Sequence, residues 1–199
     1  MLRTTIRLLS IVVICLSATP AYSCVGRTLY IGSLTSQQDK LMSEMLALLI
    51  NERTGTTVKT RYFDNNNALY KAMQSDKEEG RVDIMVEDTI DALQFLKKAP
   101  GASADDDYLT AKKLYDKSLD IIWLNPFGYS NGRGTEHKSV SAPLVRRDVL
   151  TNFPLLPRVL NKLSGVISDK AYKSLNKKVS DGEKPLNVAK AFLKKTKLI

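Results

Sequence analysis

Between residues 27 and 88 the apolar pattern alternates between the two-residue period of a strand and the 3.6-residue period of a helix, and this constrains the fold more than any other feature. "RTLYIGS" reads as a strand ending in a Gly-Ser turn. In "SQQDKLMSEMLALLINERTG", Leu41, Met45, Leu48 and Leu49 share one helical face, and Gly55 can close the helix in the left-handed conformation. "TTVKTRYFD" is a second strand. "NNNALYKAMQSDKEEG" is a second helix with Leu69, Ala72 and Met73 inward, and "VDIMVED" is a third strand. Strands alternating with helices in this way pair in parallel, because each helix carries the chain back to the starting edge.

The rest of the chain extends this plan. "TIDALQFLKKA" is a helix stopped by Pro100 and Gly101, and "GASADDD" is a loop whose Asp105, Asp106 and Asp107 suit the start of the helix "YLTAKKLYDKSL". "DIIWL" is a fourth strand, and a polar, glycine-rich passage follows it. From Leu144 onward the pattern is helical, with Ser168 as a cap and Pro185 in a first turn. The expected fold class is α/β: a mostly parallel sheet flanked by helices, with a helical C-terminal tail.

The chain has 199 residues, the size of one core. It opens with Arg3, Arg7, the apolar run "LLSIVVICLSA" and the small residues Ala21 and Ser23, a secretory signal peptide over residues 1–23. Cys15 lies inside it, so the exported chain keeps Cys24 alone and forms no internal disulfide. Cys24 would be its first residue, which suggests lipid attachment, but "PAYS" lacks the aliphatic residue such a site expects. A soluble periplasmic product and one anchored to a membrane through Cys24 both stay open.

The formal net charge is +9, and its lysines fall in pairs on amphipathic segments such as "AKKLYDK" and "FLKKTK". That is the composition of solvated helix faces, and with export it excludes nucleic acid as a partner. Loose attraction to an anionic membrane fits better. His137 is the sole histidine, too few for a zinc centre, so no metal and no cofactor is expected. No nucleophile elbow or phosphate-binding glycine loop occurs, and the chain does not read as an enzyme.

Three stretches resemble the substrate-binding components of ABC importers for glycine betaine, choline and related osmoprotectants: "IGSLTSQQDKLMSEMLALLINERTG", "VDIMVED" and the run from "APLVRRDVL" to the C-terminus. The resemblance extends over residues 27–199. It implies a type II periplasmic binding protein, normally two α/β lobes around a cleft. Here "WLNPFGYSN" and "SAPLVRRDVL", which in the family lead into and out of the second lobe, are separated by "GRGTEHKSV" alone. Residues 24–199 are therefore expected to form a single lobe, with the second replaced by a loop near 131–141.

The resemblance also implies a site at the carboxyl ends of the strands, with Ser33, Thr35, Glu87, Asp88, Thr89, Phe127, Tyr129 and Asn131 as candidate ligand-binding residues. The family's "GSKNFTEQ" is Gly32 to Asp39 here, without its lysine, aromatic and acidic positions. Its "YPEYTGT" is Met85 to Asp91, without either tyrosine. A small quaternary ammonium ligand and transporter permease subunits are the implied partners. Plainer readings stand beside these: Asp88 and Asp91 as helix-capping acids, Trp123 in the core with Tyr129 covering it, and Tyr30 and Tyr62 as packing residues. An exposed apolar edge at Leu34, Val86 and Phe127 would instead favour an interaction module that self-associates through the old cleft face.

Overall fold

The computed structural model describes residues 27–131 and 138–199. The leader, Cys24, His137 and the middle of the loop expected near 131–141 lie outside the described residues.

The elements run β1 (Leu29–Leu34), α1 (Gln37–Thr54), β2 (Val58–Phe63), α2 (Asn66–Met73), β3 (Ile84–Asp88), α3 (Thr89–Phe95), α4 (Ala104–Leu119), β4 (Ile121–Trp123), β5 (Ser130–Asn131) and β6 (Ser139–Arg146). Helices α5 (Arg147–Asn152), α6 (Leu156–Leu160), α7 (Asp169–Ser180) and α8 (Pro185–Lys195) close the chain. The sheet order is β2-β1-β3-β6-β4, with β5 beside β6. β1 pairs in parallel with β2 and β3, as the alternating pattern requires. None of the described helices is long and apolar enough to cross a membrane.

Successive residues of each strand face opposite sides, so the sheet divides the core in two. Leu29, Ile31, Ile84 and Val145 pack beneath α1 and the C-terminal helices. Met85, Leu144 and Trp123 pack under α2, α3 and α4 on the other side. Gly32 stays within β1 rather than turning the chain: a Cβ there would lie 2.3 Å from Leu69 Cδ1 and 2.8 Å from Val82 Cγ1. Its bare backbone is what lets α2 sit close on the sheet.

The sheet is mostly parallel as expected, with β1, β2, β3 and β4 running in one direction and β6 alone inserted against them. Ser139–Arg146, read from sequence as polar loop and then helix, is a central strand antiparallel to both β3 and β4. Its signal is masked by Pro143, which central strands rarely carry. Leu124 N–H donates to the Pro143 carbonyl at 2.9 Å. The Leu124 carbonyl, which a residue with an N–H at 143 would meet, instead accepts from the Tyr108 hydroxyl at 3.0 Å. A side chain from α4 thus repairs the ladder, and a proline fits where the pattern argued against a strand.

Helix ends follow the sequence signals. Ser36, Asn65, Ser103 and Ser168 cap α1, α2, α4 and α7, each accepting from a first-turn amide. Gly55 closes α1 at φ 68°. Arg146 is buried and donates to the carbonyls of Met73 at 3.0 Å and Ser75 at 2.6 Å and to Asp148 at 2.9 Å, which fixes the end of α2 against β6 and α5.

Candidate functional site

The parallel strands β1 and β3 end at the same edge, and the antiparallel β6 begins there, so Leu34, Asp88 and Ser141 converge. This is where α/β sheets place ligands. The starts of α1 and α2 close two sides, the Phe127–Tyr129 segment and α7 a third. They enclose a notch of about 50 Å³. Ser33, Glu87, Asp88, Tyr129, Ser141 and Tyr172 line it, together with Asp39, Asn66 and Asp91 from the helix starts.

One wall is aromatic. Tyr129 and Tyr172 stack with centroids 3.7 Å apart and planes 8° from parallel, and Phe127 lies parallel behind Tyr129 at 5.9 Å. Gly128 makes the approach: at φ 112°, a Cβ on it would meet the Gly165 Cα at 2.8 Å. Burial holds the Tyr129 hydroxyl well above its ordinary pKa, and this hydroxyl hydrogen-bonds with Ser141 and Tyr172.

The floor is acidic and satisfied from within. Asp88 caps α3, accepting from Ile90 N–H at 3.0 Å, and also accepts from the hydroxyls of Ser139 and, at 3.5 Å, Ser141. The plain reading of Asp88 as a capping acid thus holds, and the same carboxylate still borders the notch. Asp39 hydrogen-bonds with Ser36 in the first turn of α1, and Asp91 lies in the first turn of α3. Helix N-termini carry partial positive charge, which accounts for acids gathering here.

Glu87 differs in kind. It is buried, accepting from Asp88 N–H at 2.8 Å and from the Tyr70 hydroxyl at 2.7 Å. Tyr70 meets the Tyr115 hydroxyl at 2.5 Å, and Tyr115 donates to the Ala92 carbonyl at 3.2 Å. Burial pushes the Glu87 carboxyl up to about 8, against the pull of the Asp88 amide and Tyr70, and the Asp91 and Asp88 charges add to the rise. Near neutral pH it is therefore mostly an acid. Tyr70 donates to the ionised carboxylate, and once protonated Glu87 can donate to Tyr70 instead, so that Tyr70 donates to Tyr115 and Tyr115 to Ala92.

Of the residues expected from sequence, Ser33, Glu87, Asp88 and Tyr129 come together in the notch. Thr35 is exposed on the turn beyond it. Thr89 is fully buried behind it, 2.9 Å from the Ser139 hydroxyl. Phe127 is fully buried as well, and Asn131 pairs through its backbone with Ser139. Trp123 lies across the sheet from Tyr129, so Tyr129 does not cover it. Tyr62 is 47% exposed with Lys40 over its ring, rather than a packing residue. Arg61 stacks on the half-buried Tyr30 at 3.7 Å. No exposed apolar edge forms at Leu34, Val86 and Phe127, because the first two are half-buried in the notch and the third is in the core.

Sequence reasoning missed Asn66, Ser141 and Tyr172. Asn66 was findable, since it follows the carboxyl end of β2. Ser141 depended on seeing β6, and Tyr172 on knowing that α7 returns to this edge. Among the described residues no cluster of histidine, cysteine and acids is arranged to hold a metal ion.

The fold has solved counterparts. A structure titled glycine betaine/carnitine/choline ABC transporter superposes with TM-score 0.76 at 16% identity, covering 86% of this chain and 98% of the other. Apo YehZ from Escherichia coli gives 0.72 at 14% identity, covering 87% and 100%. Lactococcal OpuAC, in its closed-liganded conformation complexed with glycine betaine, gives 0.50 at 12%, covering 86% and 96%. At such identities the likeness establishes the fold. No curated protein sequence matches the chain. The family model for the substrate binding domain of the ABC-type glycine betaine transport system matches residues 27–135 and 136–195, nearly the whole described chain, and its members bind rather than transform their ligands. This chain, folded as a single α/β lobe, belongs to that family of substrate-binding proteins.

Proposed function

We propose that the chain serves an ABC importer outside the cytoplasm and holds a small quaternary ammonium cation, of the glycine betaine and choline class, in the notch. The observation that carries this is the pairing of an aromatic wall, Tyr129 on Tyr172, with the acids Asp39, Asp88 and Asp91 around one recess. A cation without hydrogens to donate is attracted by ring faces and carboxylates and needs no directed hydrogen bond. The two-segment match meeting between residues 135 and 136 supports the reading that a second lobe is replaced by the loop near 131–141. A notch of about 50 Å³ then contacts one side of the ligand, against the several hundred cubic ångströms typical of enclosed sites. Binding is correspondingly weak.

Titration calorimetry of the chain with glycine betaine, choline and carnitine tests this. Saturable heat with a dissociation constant below about 1 mM is expected, weakened about tenfold by Tyr172→Ala and by Asp91→Asn. Heat that never saturates for any of the three sinks cation binding by this lobe. The small notch supports a second reading in that event, an interaction module that has lost small-ligand binding, although no apolar edge is exposed at Leu34, Val86 and Phe127. Light scattering on the same sample would then test whether that module meets another copy of the chain.

A further inference from the structure

The positive charge of the chain is concentrated at one place in the fold. Residues 168–199 hold nine lysines and no arginine against three acids, Asp169, Asp181 and Glu183, a net +6 of the whole chain's +9. All nine lysines are exposed on or beside α7 and α8. Between the two helices runs a groove of about 220 Å³ floored by Leu175, Val188 and Phe192 and rimmed by Lys178 and Lys195. Leu186, at the start of α8, is 45% exposed.

This surface lies partly at the end opposite the notch. The first turns of α1 line the notch, and α1 is 18 residues long, about 27 Å. In its last turn Arg53 donates to the carbonyls of Leu198 at 2.6 Å and Lys197 at 3.3 Å, so the C-terminus lies beside the far end of α1. Leu29 N–H donates to the Thr57 carbonyl, just past that helix, so the described chain also begins there.

We propose that the lysine-bearing surface of α7 and α8 docks on an anionic phospholipid membrane. The chemistry selects this partner. Nucleic-acid surfaces are read by arginine forks and stacking aromatics, and the centres of protein interfaces are poor in lysine. Exposed lysines interspersed with apolar side chains instead suit a plane of phosphate headgroups over hydrocarbon. Docked through the end of α7 and the end of α8, where Lys178, Lys194 and Lys195 gather with Arg27 at the same end, the lobe keeps the start of α7, where Tyr172 borders the notch, away from the lipid.

Vesicle co-sedimentation tests the proposal, using phosphatidylcholine alone and phosphatidylcholine with phosphatidylglycerol. The neutral vesicles measure whatever the apolar leader contributes. The chain is expected to bind the anionic vesicles more tightly, to lose that excess at high salt, and to lose at least about tenfold on Lys178→Glu, Lys194→Glu and Lys195→Glu together. The control Lys112→Glu, Lys113→Glu and Lys117→Glu carries the same charge change on exposed positions of α4 and should keep most of the binding. Equal loss in both triple variants, no excess on anionic vesicles, or equally tight binding to duplex DNA at the same salt overturns it. The outcome is independent of whether the notch binds a cation.

Discussion

A carboxyl group with a pKa of about 8 in the folded chain and near 4.5 in the unfolded one makes stability depend on pH. Between these values folded Glu87 keeps a proton that the unfolded chain releases. Stability is therefore fully present below the lower value and declines as pH rises through the higher. Glu87→Gln mimics the acid and preserves the chain to Tyr70, Tyr115 and Ala92. Denaturant melts of both proteins from pH 5 to 9 should show the variant gaining on the parent toward pH 9 by a few kcal/mol, with parallel curves counting against a buried acid. A bound cation would favour the ionised form, so ligand affinity should rise over the same window. At Gly32 the constraint is steric: Gly32→Ala drives a methyl into Leu69 and Val82 and should cost about 1–3 kcal/mol, read as a fall in the urea midpoint without a change in slope.

Among the elements, β6 depends most on a neighbour. Tyr108→Phe strips the Leu124 carbonyl of its donor opposite Pro143 and should destabilise by about 1–3 kcal/mol, with amide exchange rising first in β4 and β6. If β4 and β6 exchange unchanged, the hydroxyl is not sustaining the ladder. The same strand marks how far the sequence could be read. Strands β1 to β3 with α1 and α2 were legible because Leu41, Met45, Leu69 and Met73 recur at helical spacing between β-branched runs, and Gly55 marked the end of α1. β6 was not, because its small and proline-containing sequence takes its strand identity from partners far away in the chain. The site divides likewise: Glu87 and Asp88 follow from the end of a legible strand, whereas Ser141 and Tyr172 reach the notch through tertiary packing that no local period encodes.

Across the whole molecule, Arg146 ties the two halves of the sequence together. Its guanidinium satisfies the Met73 and Ser75 carbonyls at the end of α2 and holds Asp148, which Arg81 also contacts at 3.1 Å. Arg146→Ala leaves those carbonyls unmet and should lower stability by about 3–5 kcal/mol; a loss under 1 kcal/mol in chemical denaturation would show that solvent replaces it freely. The order of the strands has a consequence for biogenesis. β3 is synthesised well before β6 and β4 shortly before it, yet β6 is the strand that lies between them. Until Arg146 has emerged, the nascent chain carries two strands whose shared partner does not yet exist, and open strand edges are adhesive. The sheet therefore cannot close until residue 146 of 199 has been made, and its edges need shielding until then.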